Sequence, residues 1–169
     1  MKILITGANG FIGKNLVTRI QSAHETIFLT RQTPDTLGKD GSFPMPNMKN
    51  VITQNLLEPF DSSLLPNDID AIIHLAQSKN YSAFPEHAKE VFDINVASTF
   101  NFLNYAVNSN VKYFLYASSG SVYSPYARKM DENSPIQTND FYANSKYISE
   151  KLLSCFREKI KTCCFRIFF

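Results

Sequence analysis

The chain has 169 residues, enough for one domain with a proper core, because a domain of this size buries roughly 70% of its unfolded surface. Its formal charge of +2 comes from 17 Lys and Arg against 15 Asp and Glu. This balance gives no electrostatic basis for binding nucleic acid or an acidic membrane surface, so we expect a small-molecule partner. Met1–Ile5 lacks the apolar core of a signal peptide, and no segment is as apolar as a membrane span, which predicts a cytoplasmic protein.

The cysteines and histidines give no sign of a metal centre. The three cysteines lie late in the chain, at Cys155, Cys163 and Cys164. Their odd number and their spacing predict buried thiols in a reducing compartment rather than disulfides or metal ligands. The histidines are far apart in sequence and accompany no carboxylate cluster, so no metal site is predicted; they are His24, His74 and His87.

Short apolar runs alternate with segments of helical periodicity along the chain. Lys2–Thr6 predicts a buried strand, and Phe11–Gln21 predicts a helix with apolar residues every four positions. Further strands are predicted at Thr26–Leu29, Val51–Gln54, Ala71–Leu75, Tyr113–Ala117 and Thr162–Phe168. Longer helices are predicted at roughly Glu86–Asn108 and Tyr142–Arg157, and a surface excursion rich in turn formers at Thr33–Lys49. This order predicts an α/β fold, a doubly wound parallel sheet of the Rossmann type with three α/β/α layers.

The stretch TGANGFIG contains three of the six glycines, Gly7, Gly10 and Gly13, at intervals of three. It follows the first predicted strand and opens the first helix, where a parallel sheet presents backbone N–H groups and a helix N-terminus to an anion. The loop therefore predicts a pyrophosphate site. Its G-x-x-G-x-x-G spacing differs from the common G-x-G-x-x-G fingerprint, and glycines in a tight turn can also be purely structural.

Four further stretches occur in order on the predicted elements. They are DAIIHLA (Asp70–Ala76), DINVAST (Asp93–Thr99), YASSGSVY (Tyr116–Tyr123) and YANSK (Tyr142–Lys146). Together with the glycine loop they resemble the extended short-chain dehydrogenase/reductase family, which comprises NAD(P)-dependent epimerases and dehydratases of sugar nucleotides. The resemblance spans essentially the whole chain and implies an enzyme that acts on a nucleotide-linked sugar.

The last of these stretches carries chemistry of its own. A lysine ammonium near a tyrosine favours the phenolate and lowers the phenol pKa from its ordinary value near 10. The spacing of four residues puts Tyr142 and Lys146 on one helical face, so that the tyrosine can exchange a proton with a carbinol while a nicotinamide carries hydride. Tyr147 and Lys151 share this spacing. Since ligands bind at the carboxyl edge of such a sheet, the first helical turn is the active one, and Tyr147 should pack or point to solvent.

Two polar residues gain a role from the resemblance. The family keeps a serine or threonine at the position of Ser119, where it holds a substrate hydroxyl toward the tyrosine; the alternative is a polar turn after a strand. Gly120 leaves room there for the substrate or the nicotinamide ring. Asn95 is expected to brace this site, although a satisfied buried asparagine explains it nearly as well. The backbone of His74 is expected near the cofactor.

The predicted cofactor is NAD(P). Thr30 and Arg31 follow the second predicted strand, where an acidic residue would bind the ribose of NAD and a cation would accept the phosphate of NADP; Arg31 therefore favours NADP. The full set of predicted cofactor-binding residues is Gly7, Gly10, Phe11, Ile12, Gly13, Thr30, Arg31, Asn55, Leu56, Leu75, Ala76, Gln77, Asn95, Tyr142 and Lys146, and the predicted catalytic residues are Ser119, Tyr142 and Lys146.

The end of the sequence bears on how much of such an enzyme is present. Arg166–Phe169 resembles the start of the family's sixth strand motif, after which members continue into a substrate domain. We expect residues 1–169 to be the NAD(P)-binding domain of a longer epimerase, dehydratase or ketoreductase, with the substrate domain absent. Alone, it should bind a dinucleotide weakly, turn over nucleotide sugars negligibly and associate through apolar surface near Phe165–Phe169. The family also implies a homodimer. The alternative function is a non-catalytic dinucleotide-binding module or inactive remnant.

Overall fold

The structure is a computed structural model that describes residues 1–32, 50–123 and 130–168. Within these residues six strands form one sheet: β1 (Lys2–Thr6), β2 (Glu25–Thr30), β3 (Val51–Thr53), β4 (Ala71–His74), β5 (Tyr113–Ser119) and β6 (Lys161–Ile167). The helices are α1 (Phe11–Ile20), α2 (Ala88–Phe92), α3 (Ser98–Asn108) and α4 (Phe141–Cys155). The predicted surface excursion Thr33–Lys49 and the terminal Phe169 lie outside the described residues.

All neighbouring strands are parallel, in the order β3-β2-β1-β4-β5-β6. β2 and β3 therefore lie on one side of β1, and β4, β5 and β6 lie on the other side. Thr6 pairs with Leu29 of β2 and with His74 of β4, so the carboxyl ends of the three central strands lie together. In a sheet of this order, ligands bind in the crevice at that edge, where the strand order reverses.

Two hydrophobic clusters cover the two faces of the sheet. On β1, Leu4 belongs to a cluster with Phe102 of α3 and Leu153 of α4, whereas Ile5 belongs to a second cluster with Val17 of α1. Alternate residues of a strand point to opposite faces, so α1 covers one face and α3 and α4 cover the other. The six strands and the doubly wound three-layer α/β/α fold expected from the sequence are confirmed, with strand ends displaced by one or two residues. None of the helices in the described parts of the chain is long and apolar enough to cross a membrane.

The long helix expected at Glu86–Asn108 begins at Ala88 and is not uniform. A π-helical turn at Asp93–Ala97 separates α2 from α3. The backbone oxygen of Asn95 in this turn accepts hydrogen bonds from the hydroxyls of Thr99, at 2.7 Å, and of Ser149 on α4, at 2.8 Å. Side-chain donors thus stabilise the widened turn, a feature that apolar periodicity does not register.

The prediction of buried cysteines is wrong. Cys155 and Cys163 are exposed and Cys164 is only partly buried, each as a free thiol. Cys155 is the last residue of α4. Cys163 lies on the edge strand β6, on the same face as the exposed side chain of Phe165. This face of β6 carries no helix in the described residues, so its apolar side chains remain in contact with solvent.

Candidate active site

The glycine loop between β1 and α1 is packed against the end of β4. Gly7 has φ +69°, and a Cβ there would lie 2.7 Å from the backbone nitrogen of Ala76. A Cβ on Gly13 would lie 2.4 Å from the backbone oxygen of Gly7. At Gly10, by contrast, the one close atom is that same oxygen, at 3.2 Å, and the rest of the surroundings is open. Gly7 and Gly13 therefore allow the turn to fold, whereas Gly10 leaves room above it.

A cavity of about 690 Å³ opens beside this loop at the carboxyl edge of the sheet. Predicted site residues on its wall are Gly7, Gly10, Phe11, Ile12, Gly13, Leu75, Gln77, Ser119 and Tyr142. A second cavity, of about 150 Å³, lies at the ends of β2 and β3 and is lined by Gly7, Thr30, Arg31, Asn55, Leu56, Ala76 and Gln77 among others. Because Gly7 and Gln77 line both, the two cavities adjoin. The predicted cofactor-binding residues that line neither are Asn95 and Lys146, both buried behind the wall.

Tyr142 lies in the first turn of α4, as the sequence predicts. Asp140 caps the helix, since its side chain accepts a hydrogen bond from the backbone N–H of Ala143 at 2.7 Å. The phenol hydroxyl of Tyr142 donates to Oε1 of Gln77 at 3.1 Å, and the ring centroid of Tyr81 lies 4.9 Å from that of Tyr142. The reactive end of the phenol thus lies at the wall of the cavity that the glycine loop also lines.

Lys146 is one turn further along α4 and is almost fully buried. Its Nζ donates to the backbone oxygen of Ala117 at 2.9 Å and lies 5.8 Å from the ring centroid of Tyr142. It also lies 5.1 Å from the ring centroid of Tyr116. Burial lowers the pKa of the Lys146 ammonium from 10.5 to about 7. The lysine therefore changes its charge close to neutral pH, directly behind the tyrosine.

The second Tyr-Lys pair on α4 lies elsewhere. Nζ of Lys151 sits 4.9 Å from the ring centroid of Tyr147, and both residues line a groove between α4 and β6. Neither residue lies on the wall of the cavity beside the glycine loop. The geometry therefore separates the two pairs in the way that helical spacing predicts.

Ser119 ends β5 at the cavity wall. Its Oγ accepts a hydrogen bond from the backbone N–H of Ser121 at 3.1 Å and caps a short 3₁₀ turn at Gly120–Val122. Ser119 is therefore a turn residue that also lies on the cavity wall, and its role toward a substrate hydroxyl stays a prediction. Beside it, a Cβ on Gly120 would lie 2.5 Å from the ring of Phe168, so the room expected next to Gly120 contains this ring.

Asn95, in the π-helical turn, joins two parts of the site. Its Oδ1 accepts from the backbone N–H of Ser78 at 3.1 Å, and its Nδ2 donates to Oγ of Ser145 at 2.9 Å. Ser145 in turn donates to the backbone oxygen of Tyr142 at 2.7 Å. Asn95 is thus a satisfied buried asparagine that also links the segment after β4 to the first turn of α4.

His74, at the end of β4, is buried and connects three elements. Its Nδ1 lies 2.7 Å from Oγ1 of Thr6, and its Nε2 lies 3.3 Å from Oγ of Ser98. Because Ser98 donates its hydroxyl hydrogen to the backbone oxygen of Ile94, it accepts from Nε2–H, and Thr6 donates to Nδ1. Burial, with a smaller contribution from Lys146, lowers the pKa of His74 to about 3, so the ring is neutral. Thr6 also accepts from the backbone N–H of Ala76 at 3.2 Å, which ties the start of the glycine loop to the cavity wall.

The sequence model of the NAD dependent epimerase/dehydratase family matches residues 3–168. The chain belongs to this family. A putative UDP-glucose 4-epimerase of Methanocaldococcus jannaschii is 31% identical over 157 residues, which cover 91% of this chain and 50% of that protein. A UDP-glucose 4-epimerase of Neisseria meningitidis serogroup C is 28% identical over 170 residues, covering 90% of this chain and 47% of that one.

The solved structures agree with this assignment of the fold. A UDP-glucuronic acid 4-epimerase from Bacillus cereus, in complex with NAD, superposes with a TM-score of 0.79 at 24% identity, over 98% of this chain and 56% of that one. MoeE5, in complex with UDP-glucose and NAD, gives a TM-score of 0.78 at 25% identity, over 98% of this chain and 54% of that one. This member of the epimerase/dehydratase family therefore spans about half the length of the relatives it matches.

Three residues of the site lie outside the sequence motifs from which the site was predicted. Ser78, Tyr81 and Glu90 lie between the motif that ends β4 and the motif of the π-helical turn. Ser78 is fully buried, and Tyr81 contacts Tyr142. Ser78 and Tyr81 follow β4 in an irregular segment and Glu90 lies in α2, where polar residues predict only a loop and a solvated helix face, so the three-dimensional contacts assign these residues to the site.

Because Lys146 is buried, we expect the free energy of unfolding of this epimerase/dehydratase family member to depend on pH. Its pKa is about 7 in the folded chain and near 10.5 when unfolded, so between these values only the unfolded chain binds the proton. Relative to Lys146→Met, the free energy of unfolding of the wild type should be highest above pH 10.5, fall by up to about 1.4 kcal/mol per pH unit as the pH drops to about 7, and then level off. Urea unfolding followed by circular dichroism measures this difference.

The matched control is Lys151→Met, because Lys151 lies on the same helix but is exposed. Its difference from the wild type should change little over this pH range. A Lys146→Met difference that is the same at pH 7 and at pH 10 would show that the lysine is charged in the folded chain throughout.

Proposed function

We propose that residues 1–169 form the NAD(P)-binding domain of an epimerase, dehydratase or ketoreductase that acts on a nucleotide-linked sugar. The observation that supports this most is a single cavity lined by the glycine loop, Ser119 and Tyr142, with the buried Lys146 one turn after the tyrosine. A protein that only binds a dinucleotide needs the loop but has no use for a tyrosine set before a buried lysine. The relatives named as UDP-sugar 4-epimerases support the same class of substrate.

The residues present fit a dinucleotide. The open space above Gly10 and the N-terminus of α1 suit the pyrophosphate, because a backbone without Cβ and with N–H groups directed outward accepts an anion closely. The two adjoining cavities suit the two halves of such a molecule, with the adenosine in the small cavity and the nicotinamide in the large one. When bound, the nicotinamide supplies hydride transfer to and from the sugar carbon.

The roles of the chain's own residues follow from their positions. As phenolate, Tyr142 takes a proton from a sugar hydroxyl, and as phenol it returns one to a carbonyl, at the point where Gln77 now accepts its hydrogen bond. The ammonium form of Lys146, 5.8 Å from the Tyr142 ring centroid, favours the phenolate. Ser119, on the same wall, orients the sugar hydroxyl toward the phenol.

A second function has one observation in its favour. The ring of Phe168 lies against Gly120, in the space that a substrate or nicotinamide ring was expected to use. A module that binds a dinucleotide without turnover would tolerate this contact. Both functions keep the glycine loop, so binding alone does not distinguish them. The homodimer and the cytoplasmic location expected from the sequence remain predictions.

Because residues 1–169 alone are expected to turn over nucleotide sugars negligibly, the test uses the intact enzyme, in which the proposed substrate domain accompanies these residues. It is incubated with NAD or NADP and a panel of UDP-sugars, and products are identified by mass spectrometry and NMR. Formation of a 4-epimer, a 4-keto-6-deoxy sugar or a reduced sugar supports the enzyme. Bound dinucleotide without any product favours the binding module. Absence of dinucleotide binding contradicts both functions.

We also propose that NADP binds more tightly than NAD. β2 ends Leu29-Thr30 and is followed by Arg31, an exposed cation on the wall of the small cavity. Arginine binds a phosphate through charge-assisted hydrogen bonds, and loss of one such contact costs about tenfold in affinity. Arg31→Ser should therefore weaken NADP about tenfold and leave NAD nearly unchanged, as measured by isothermal titration calorimetry. Equal affinity of the wild type for both cofactors, or tighter binding of NAD, would remove this role from Arg31.

A further inference from the structure

The segment of residues 77–81, here called the β4–α2 loop, contacts Tyr142 from two sides. Gln77 accepts the hydrogen bond of its phenol at 3.1 Å. The ring of Tyr81 lies against the ring of Tyr142, with centroids 4.9 Å apart and planes inclined by 44°. The loop therefore contacts both the hydroxyl and the ring of Tyr142.

Glu90, in the short helix α2, holds this loop with both carboxylate oxygens. Oε1 accepts from the hydroxyl of Ser78 at 2.7 Å, and Oε2 accepts from Nδ2 of Asn80 at 2.9 Å. The backbone N–H of Asn80 donates to Oγ of Ser78 at 3.0 Å, which closes the loop on itself. Nδ1 of His87 lies 3.2 Å from Oε2 of Glu90.

The hydrogen bonds that Glu90 accepts are charge-assisted. Hydrogen bonds from Ser78 and then Asn80 lower the pKa of the Glu90 carboxyl, so the group is a carboxylate at neutral pH. Hydrogen bonds to a carboxylate are roughly twice as strong as those between neutral groups. Ser78 is fully buried, so its hydroxyl would lose this partner without gaining water if the carboxylate were removed.

We propose that Glu90 is a positioning residue for Tyr142. It fixes the β4–α2 loop through Ser78 and Asn80, and the loop fixes Tyr142 through Gln77 and Tyr81. Glu90 lies on the wall of the small cavity but not on that of the cavity beside the glycine loop, so its effect on Tyr142 runs through the loop. The effect of Glu90 on turnover rests on the proposed function of Tyr142, whereas its effect on the position of Tyr142 does not.

The experiment uses the full chain labelled with 3-fluorotyrosine. The ¹⁹F resonances of two of the eight tyrosines are assigned with Tyr142→Phe and Tyr81→Phe. In Glu90→Ala, both resonances should move toward the frequency of the unfolded chain, because the two rings separate. The backbone amides of Ser78 and Asn80 should also exchange with deuterium at least about tenfold faster, since the bonds that protect them loosen. Glu86→Ala, an exposed glutamate one turn earlier, is the matched control and should change neither.

Glu90→Gln serves as a second variant, so that the proposal can be tested even if Glu90→Ala does not fold. Its amide oxygen still accepts from Ser78, but its NH₂ group faces the NH₂ group of Asn80, so the resonances should move in the same direction by less. Tyrosine resonances and amide exchange that match the wild type in both variants would overturn the proposal. These measurements need neither cofactor nor sugar, so their failure is distinct from the failure of the proposed function, which product formation decides.

Discussion

Gly13→Ala is expected to destabilise the chain severely, whereas Gly10→Ala is expected to leave it folded and to weaken dinucleotide binding. A Cβ on Gly13 would lie 2.4 Å from the backbone oxygen of Gly7 and 2.6 Å from backbone atoms of Ala8. These are backbone atoms inside a tight turn, so no change of side-chain rotamer can relieve the clash. Overpacking of this kind costs about 3 kcal/mol or more, a large part of the stability of a small domain.

Gly10 differs because its methyl group would point into open space. The one close atom is the backbone oxygen of Gly7 at 3.2 Å, which a small shift accommodates. A pyrophosphate that lies against the loop would meet that methyl group directly. The affinity of Gly10→Ala for the dinucleotide should therefore fall at least about tenfold, while its unfolding midpoint stays close to that of the wild type.

Circular dichroism in urea measures the stability of both variants, and calorimetric titration with NAD and NADP measures binding. Wild-type affinity in Gly10→Ala would show that the ligand does not approach the loop at that point. Wild-type stability in Gly13→Ala would show that the turn can relax, and that Gly13 is present for another reason. The two variants thus separate the structural and the ligand-binding explanations that the glycine spacing leaves open.

Apolar pattern and glycine position were sufficient to predict the fold. Parallel strands buried on both faces show up as continuous apolar runs, so β1 and β4 were found within a residue. The predicted cavity residues followed in turn, because the carboxyl ends of the central strands meet at one edge. Tyr142 could be preferred over Tyr147 from the same geometry before any contact was known.

Other features depend on contacts between residues far apart in sequence. The π-helical turn is stabilised by Ser149, more than fifty residues after Asn95. The pKa of Lys146 follows from its burial, beside Tyr116 and Ala117 of β5, which a Tyr-x-x-x-Lys spacing does not reveal. Cys163 was expected to be buried from the number and spacing of the cysteines, but a strand at the edge of a sheet is buried only where a helix covers it.

The positions of the two tyrosines make Tyr142→Phe the decisive substitution for the proposed reaction. Removal of the phenol hydroxyl takes away the group that exchanges a proton with the sugar but keeps the ring that packs against Tyr81. Loss of a general acid–base group costs roughly 10²–10⁴-fold in rate. In the intact enzyme we therefore expect product formation from the UDP-sugar panel to fall by at least about a hundredfold, with dinucleotide affinity within about twofold of the wild type because the glycine loop is unchanged.

Tyr147→Phe is the matched control, since it removes the same hydroxyl from the same helix. Tyr147 lies in the groove between α4 and β6 with Lys151, so both product formation and cofactor affinity should stay close to wild-type values. Product formation that survives in Tyr142→Phe and is lost in Tyr147→Phe would move the reaction to the other side of α4. In that case the cavity beside the glycine loop would bind the dinucleotide without supplying the proton, and Lys146 would be a structural lysine whose low pKa results from burial alone.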